Sequence, residues 1–205
     1  MTLSITVMIV IATVLVSWRA FNSPRLLERL ILWPPAIERQ RQYDRLLTHG
    51  FIHADWMHLL FNMITLWSFG RVVEPVFSQW ITPLGFALLY RSAIVIEILP
   101  TYLRHRHDAR YRSLGASGGV SAVLFASILF DPWTRLIIFP IPLPIPAFVF
   151  ALLYVGYSIW MDRRGRDNVN HSAHLWGAAY GVIFTLLLEP RVAGHFVRSL
   201  LGSGG

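Results

Sequence analysis

Six apolar runs, parted by segments that hold nearly all of the chain's eighteen arginines, decide what this sequence can fold into. They lie at roughly Thr2–Trp18, Trp56–Phe69, Trp80–Leu103, Ala116–Phe130, Leu143–Met161 and Ala173–Leu188. Hydrophobic residues make up 55% of the 205 positions and charged residues 14%, and the mean hydropathy is +0.51. A soluble chain of this length does not need that much apolar surface, whereas a bilayer solvates it. The expected fold class is therefore all-α: a polytopic membrane helix bundle with six transmembrane helices, residues 1–205 forming a single membrane domain with no separate soluble one. Several runs are shorter than the ~20 residues of a straight crossing. The second, fourth and sixth are expected to gain length from flanking polar turns. The first run lacks a basic n-region and a clear small-x-small cleavage site, so it reads as a span rather than a signal peptide.

Charge and cysteine content narrow the partners. The pI near 10.5 is compatible with nucleic acid, but the arginines lie in short loops between apolar runs, which favours anionic lipid headgroups. The lipid bilayer is thus an expected partner and nucleic acid is not. With no cysteine in the chain, disulfides, thiol nucleophiles and thiolate metal sites are excluded. His171 and His174 are three apart, a spacing metal ligands adopt on a helix. No His-Glu-x-x-His pattern accompanies them, so no metal and no cofactor is expected.

The first loop, about Arg19 to Ala54, is the longest. Leu26, Leu27, Leu30 and Ile31 recur in it at helical spacing with Arg25, Glu28 and Arg29 between, the pattern of a helix lying in the membrane interface. Pro34-Pro35 is expected to end that helix. Pro140, Pro142, Pro144 and Pro146 predict a stiff, extended fourth loop. Arg91 falls within the third run, six residues before Glu97. That offset puts the two on different helix faces. Glu74 is expected to close a loop through hydrogen bonds.

Chemistry concentrates at the heads of three runs. Gly115-Ala116-Ser117-Gly118-Gly119 opens the fourth, and His174 stands near the start of the sixth. Polar and ionisable groups at membrane depth are functional candidates by default. A serine with a histidine suggests a nucleophile and its base. Asp55 suits the N-cap of the second span. His58 and Asn62, four apart, then share a face and supply a ring N–H and an amide donor. The second, fourth and sixth spans all descend from the face reached after the first. At ~1.5 Å rise per residue, His58, Asn62, Ser117 and His174 all fall within about 10 Å of that surface. Gly118, Ala122 and Ala126 form a small-residue stripe on the fourth span, and Gly177 and Gly181 one on the sixth. Facing stripes let helix backbones approach closely. Gly115 and Gly118 leave room for a substrate backbone beside Ser117, where helix N-terminal amides favour an oxyanion. His53 is expected to order the loop rather than to act on substrate.

These residues carry a resemblance over nearly the whole chain. His53, His58 and Asn62 follow the pattern His-x4-His-x3-Asn. Gly115-Ala116-Ser117-Gly118 follows Gly-x-Ser-Gly, and Ala173-His174 with Gly177 and Gly181 follows Ala-His-x2-Gly-x3-Gly. In this order, at these places in six spans, they resemble the rhomboid intramembrane serine proteases. The resemblance implies a serine endopeptidase acting on transmembrane protein substrates through a Ser–His dyad without a required acid. Ser117 would attack and His174 serve as base. Asn62, His58 and the Ser117 backbone N–H would line the oxyanion hole. It also implies a partly submerged helical hairpin in the first loop. The alternative is a catalytically inactive relative that binds membrane helices. The expected location is a bacterial inner membrane, with the chain a multi-pass integral protein.

Orientation divides the expectations. The resemblance implies a cytoplasmic N-terminus and a site opening outward. Yet thirteen arginines fall in the first, third and fifth loops, Arg163, Arg164 and Arg166 among them, against four on the opposite side. The positive-inside rule favours the reverse. Reporter fusions at the C-terminus decide the matter. A reporter active only outside the cytoplasm should signal if the arginine distribution governs. A signal only from a cytoplasmic reporter would sustain the outward-opening site.

Overall fold

The computed structural model describes residues 4–82, 84–138, 141–165 and 169–202. Thr2, Pro140 and Arg166, named above, lie outside them. The chain runs α1 (Ile5–Phe21), α2 (Pro24–Leu30), α3 (Pro34–Gln40), α4 (Arg45–Thr48), a 3-10 turn (His49–Phe51), α5 (Trp56–Trp80), α6 (Gly85–His105) and α7 (Ser117–Phe130). It continues with β1 (Arg135–Ile138), β2 (Ile141–Pro146), α8 (Ala147–Arg164), α9 (His171–Leu188) and α10 (Arg191–Leu201).

Helix α7 forms the centre, and every residue from Gly118 to Leu129 is buried. Its neighbours are α5, α6 and α9, with α10 and the end of α8 completing the surround. The small-residue stripes meet as expected. A Cβ on Gly177 would sit 2.1 Å from the Gly118 carbonyl oxygen, and one on Gly181 would sit 2.1 Å from that of Ala122. Only glycine admits this approach.

Along α1 the side-chain distribution is inverted relative to a helix in water, and other helices also expose apolar faces. On α1 the buried residues are Thr6, Thr13, Ser17 and Ala20, while Met8, Ile11, Leu15 and Trp18 are about half exposed. The outward faces of α5 and α9 carry Leu60, Ile64 and Trp67, and Trp176, Ile183 and Leu187. Such an exterior is poorly solvated by water and matched to lipid tails. By length and composition α6 can cross a membrane, and α1 and α7 are apolar but shorter.

Helix ends explain how the bundle is fastened. The Glu74 carboxylate, on α5, accepts hydrogen bonds from the Ile5 and Thr6 amides and from the Ser4 and Thr6 hydroxyls, at 2.6–2.9 Å. It thus satisfies donors that the first turn of α1 cannot, with its charge at the positive end of the helix dipole. In the first loop, buried Arg45 donates to the Glu28 and Ile31 carbonyls, both at 2.7 Å, where α2 ends. Leu32 pairs with Ser113, and the Trp33 indole donates to the Ala109 carbonyl. These contacts join the first loop to the third.

Four features depart from the sequence expectations. Pro34-Pro35 does end α2, but it also begins α3, since proline's missing N–H costs nothing in a first turn. The fourth connection is extended yet paired: β1 and β2 form an antiparallel hairpin, with Leu136 opposite Ile145. Prolines at every second residue put their missing donors along one edge, leaving the intervening amides for the ladder. The fold is mostly helical, consistent with the expected all-α class, with this small hairpin among the described residues. The amphipathic α10 was not expected. The His195 ring donates to the Phe130 carbonyl, and the Trp133 indole donates to that of Ser199. Finally, α6 begins at Gly85, not Trp80. Arg91 therefore lies about 9 Å from the helix start, exposed and able to snorkel.

Gly181→Ala should force α9 away from a backbone that cannot yield and lower stability by about 1–3 kcal/mol. Gly156→Ala on α8, where a Cβ meets nothing within 4 Å, should be neutral or slightly stabilising. Thermal unfolding of both in detergent checks the contrast; equal effects would refute the packing argument.

Candidate active site

Ser117 is the first residue of α7 and His174 lies in the first turn of α9. Each is placed by its own fastening. Gly115 has φ of +121°, a conformation side-chain-bearing residues rarely adopt, and its amide donates to the His49 carbonyl at 3.0 Å. Asn170 caps α9. Its side-chain oxygen accepts from the Ala173 amide at 3.0 Å and from the Thr101 hydroxyl at 3.2 Å. Its amide reaches Tyr111 and Ser113 at 3.4 and 3.5 Å. This one residue ties α6, the third loop and the helix carrying His174.

Across the α7–α9 contact, the Ser117 Oγ stands 2.7 Å from His174 Nε2. A second serine lies below: the Ser121 hydroxyl donates to the Ser117 carbonyl at 2.8 Å. With that proton committed, the 2.5 Å contact between Ser121 and Tyr154 has the phenol as donor. The Tyr154 ring lies nearly parallel to that of His174, tilted by 22° with centroids 6.0 Å apart. His171 meets His174 edge-on at 5.6 Å.

His58 and Asn62 stand on the first two turns of α5, capped by Asp55, whose carboxylate accepts from the His58 amide at 2.8 Å. A Cβ on Gly115 would lie 2.8 Å from His58 Cε1, so the His58 ring adjoins the loop leading to Ser117. Buried Asn62 donates one amide proton to the His58 carbonyl at 2.9 Å, and its second proton is left for another acceptor. Gly115 and Gly118 are close-packing positions beside Ser117. A Cβ on Gly118 would overlap Glu97, whose carboxyl carbon would lie 2.4 Å away. Gly118 therefore faces buried Glu97, and Gly115 faces His58.

His53 orders the loop through a complete relay. Its Nε2 accepts from the Ala116 amide at 3.4 Å, which leaves the proton on Nδ1 to reach Ser17 Oγ at 3.0 Å. Ser17 in turn donates to the Phe51 carbonyl at 3.0 Å. The ring is held neutral. Burial, with the nearby His58 ring adding and Asp55 opposing, pushes its pKa down from 6.5 to about 3. Burial likewise lowers His49 to about 4. Sequence reasoning passed over Asn170 and Tyr154. An asparagine four residues before His174 at a helix start was a readable cap signal. The link of Tyr154 to His174 is between helices and left no mark in the sequence.

Comparisons with known proteins show the family. The Rhomboid domain family matches residues 40–191, and the chain belongs to the rhomboid family, a membrane-embedded family. It is 29% identical to RHOMBOID-like protein 12, mitochondrial, of Arabidopsis thaliana over 84% of this chain and 54% of that one. It is 32% identical to the human presenilin-associated rhomboid-like protein, mitochondrial, over 85% and 45%. To Rhomboid protease GluP of Bacillus subtilis it is 26% identical over 80% and 30%. The chain thus spans about half the length, or less, of these relatives.

Because the two buried histidines have lowered pKa values, the unfolded chain takes up more protons than the native one below 6.5. Their contribution to stability is complete above pH 6.5 and is lost as pH falls toward about 4 and then about 3. In thermal unfolding, His53→Asn should lower the melting temperature at neutral pH yet flatten its fall on acidification. A variant with the wild-type slope would contradict the neutral relay.

Proposed function

We propose that this chain is an intramembrane serine endopeptidase that cleaves transmembrane or membrane-proximal segments of other membrane proteins. The observation that carries the reading is the 2.7 Å contact between Ser117 Oγ and His174 Nε2 in a member of the rhomboid family. In this reading, His174 accepts the Ser117 proton as Oγ attacks the scissile carbonyl. Charge then develops on the carbonyl oxygen. The first amides of α7, which have no partner in their own helix, point to that end of the helix. The free amide proton of Asn62 and the His58 ring serve the same oxyanion. His174 returns the proton to the leaving amine, and water releases the acyl group from Ser117. No cofactor enters.

The same reading takes residues 1–205 as one membrane domain whose six spans are α1, α5, α6, α7, α8 and α9. A helical substrate must unwind locally before its amide can be attacked, so its cleaved segment should hold helix-weakening residues such as glycine or proline. Two of the relatives named are mitochondrial and one is bacterial, so they support a membrane protein without supporting the bacterial inner membrane in particular.

Labelling by a fluorophosphonate probe tests the reading. Wild-type protein should be labelled, whereas Ser117→Ala and His174→Ala should not, with melting temperatures near the wild type's. Cleavage of a transmembrane substrate by Ser117→Ala should fall at least about a thousandfold. Folded wild-type protein that resists the probe would instead support the inactive, helix-binding relative.

A further inference from the structure

We propose that the groove between the β1–β2 hairpin and α5 binds one phospholipid with a phosphoethanolamine headgroup, at the membrane boundary opposite the dyad. The proposal does not depend on the reading of Ser117 and His174. The groove has a volume of about 440 Å³. Asp131, Thr134 and Arg135 line it from the turn below α7, and Ile64, Val72 and Ile128 give it apolar walls. Its depth follows from helix geometry. Ser117 lies within about 10 Å of one membrane surface, and the fourteen residues of α7 descend about 21 Å from there. Asp131 and Arg135 therefore stand about 30 Å from that surface, where the hydrocarbon core gives way to the opposite headgroups. On α5, Ile64 lies two turns before Val72, about 12 Å back toward the bilayer centre. The groove thus has a polar end at headgroup depth and an apolar end within the core, as a phospholipid does.

Two features of the polar end call for a ligand. The first is the open edge of β1. Arg135 lies opposite Pro146 and Ile137 opposite Pro144. Proline has no N–H, so these pairs exchange no ladder bonds, and the Leu136–Ile145 pair between them does. The amides and carbonyls of Arg135 and Ile137 therefore point away from β2, and among the described residues none of them meets a partner. Unpaired backbone groups at the edge of a bilayer are costly. The second is charge. The exposed Arg135 guanidinium pairs with no carboxylate among the described residues. Asp131 accepts from the Trp133 and Thr134 amides, both at 3.1 Å, and from the Thr134 hydroxyl. Its two oxygens have capacity for one bond more, and no cation among the described residues balances it. A phosphate answers the guanidinium in a bidentate contact and accepts from the β1 amides. A primary ammonium two carbons away answers Asp131. An acyl chain of the same molecule covers the apolar walls.

The test uses the full chain, delipidated in detergent, with dioleoyl phosphatidylethanolamine, phosphatidylcholine or phosphatidylglycerol added. Adducts are counted by native mass spectrometry and stability is followed by thermal unfolding. Phosphatidylethanolamine should bind as a single adduct and raise the melting temperature by about 5 °C at saturation. Phosphatidylcholine, whose ammonium has no N–H, and phosphatidylglycerol, which has no cation, should each bind about fivefold more weakly. Arg135→Gln should lower the affinity for phosphatidylethanolamine about tenfold while leaving the lipid-free melting temperature unchanged. Arg135→Lys keeps the charge without the planar fork and should fall between the two. Asp131→Asn keeps the cap on the turn and should abolish the preference over phosphatidylglycerol. Three lipids bound alike, or Arg135→Gln with wild-type affinity and preference, would overturn the proposal. Stabilisation by an added transmembrane peptide and by none of the lipids would also overturn it, assigning the groove to a strand on the open edge of β1. Should Arg135→Gln fail to fold, Arg135→Lys and Asp131→Asn decide in its place.

Discussion

The approach of α9 to α7 at Gly177 and Gly181 is the constraint on which the rest depends. Between helices in lipid there is no hydrophobic gain, since the tails are as apolar as leucine. Association rests on close packing and on hydrogen bonds. With carbonyl oxygens of α7 standing where a Cβ of α9 would be, the backbones are as near as they can come. His174 lies one turn before Gly177, and Ser117 immediately before Gly118. Their 2.7 Å separation is therefore set by backbone contact. Long, flexible side chains are not needed to bridge the helices.

Polar groups inside such a bundle are costly without partners, and several find them in their own helix. The hydroxyls of Ser121, Ser127 and Thr185 donate to carbonyls three or four residues earlier. These small residues leave the helix surface flat enough for close packing while satisfying themselves. Longer-range polar links are kept for joining elements. Glu74 fastens α1 to α5, Asn170 fastens α9 to α6 and the third loop, and the His53 relay fastens α1 to the turn before Ser117. All three act at helix ends, where unpaired backbone donors exist to be met.

This division explains what the sequence made legible. Apolar runs, the small-residue stripes and the order of spans placed Ser117, His174, His58 and Asn62 at one level, because connectivity alone puts alternate spans on the same descending course. Asp55 was readable as a cap, since a cap is local. The role of Glu74 was less so: its partners Ser4 and Thr6 lie about seventy residues away, and nothing local distinguishes a helix clamp from a loop closure. Alternating prolines made the stiff, extended fourth loop legible; that their spacing leaves one edge free to pair is visible only with the partner strand in place. Helix α10 escaped notice because Arg191, His195, Arg198 and Ser199 interrupt its apolar residues, and apolar runs were the signal followed. That Gly118 packs closely was legible from its stripe, but that its Cα faces Glu97 is a matter of rotation about α7 that spacing cannot fix.

Three ties surround the dyad. Ser117 is held from below by a wholly buried helix and from above by Gly115 and the His53 relay. His174 is held by the Asn170 cap and the glycine contact. Both belong to the rigid part of the fold. Tyr154 reaches them from α8, whose outer face carries large apolar residues and whose inner face packs Phe150, Ala151 and Val155 against Leu124, Phe125 and Ala178. Packing thus fixes Ser117 and His174 from several sides at once, with the Tyr154 hydroxyl joining α8 to Ser121 one turn below Ser117.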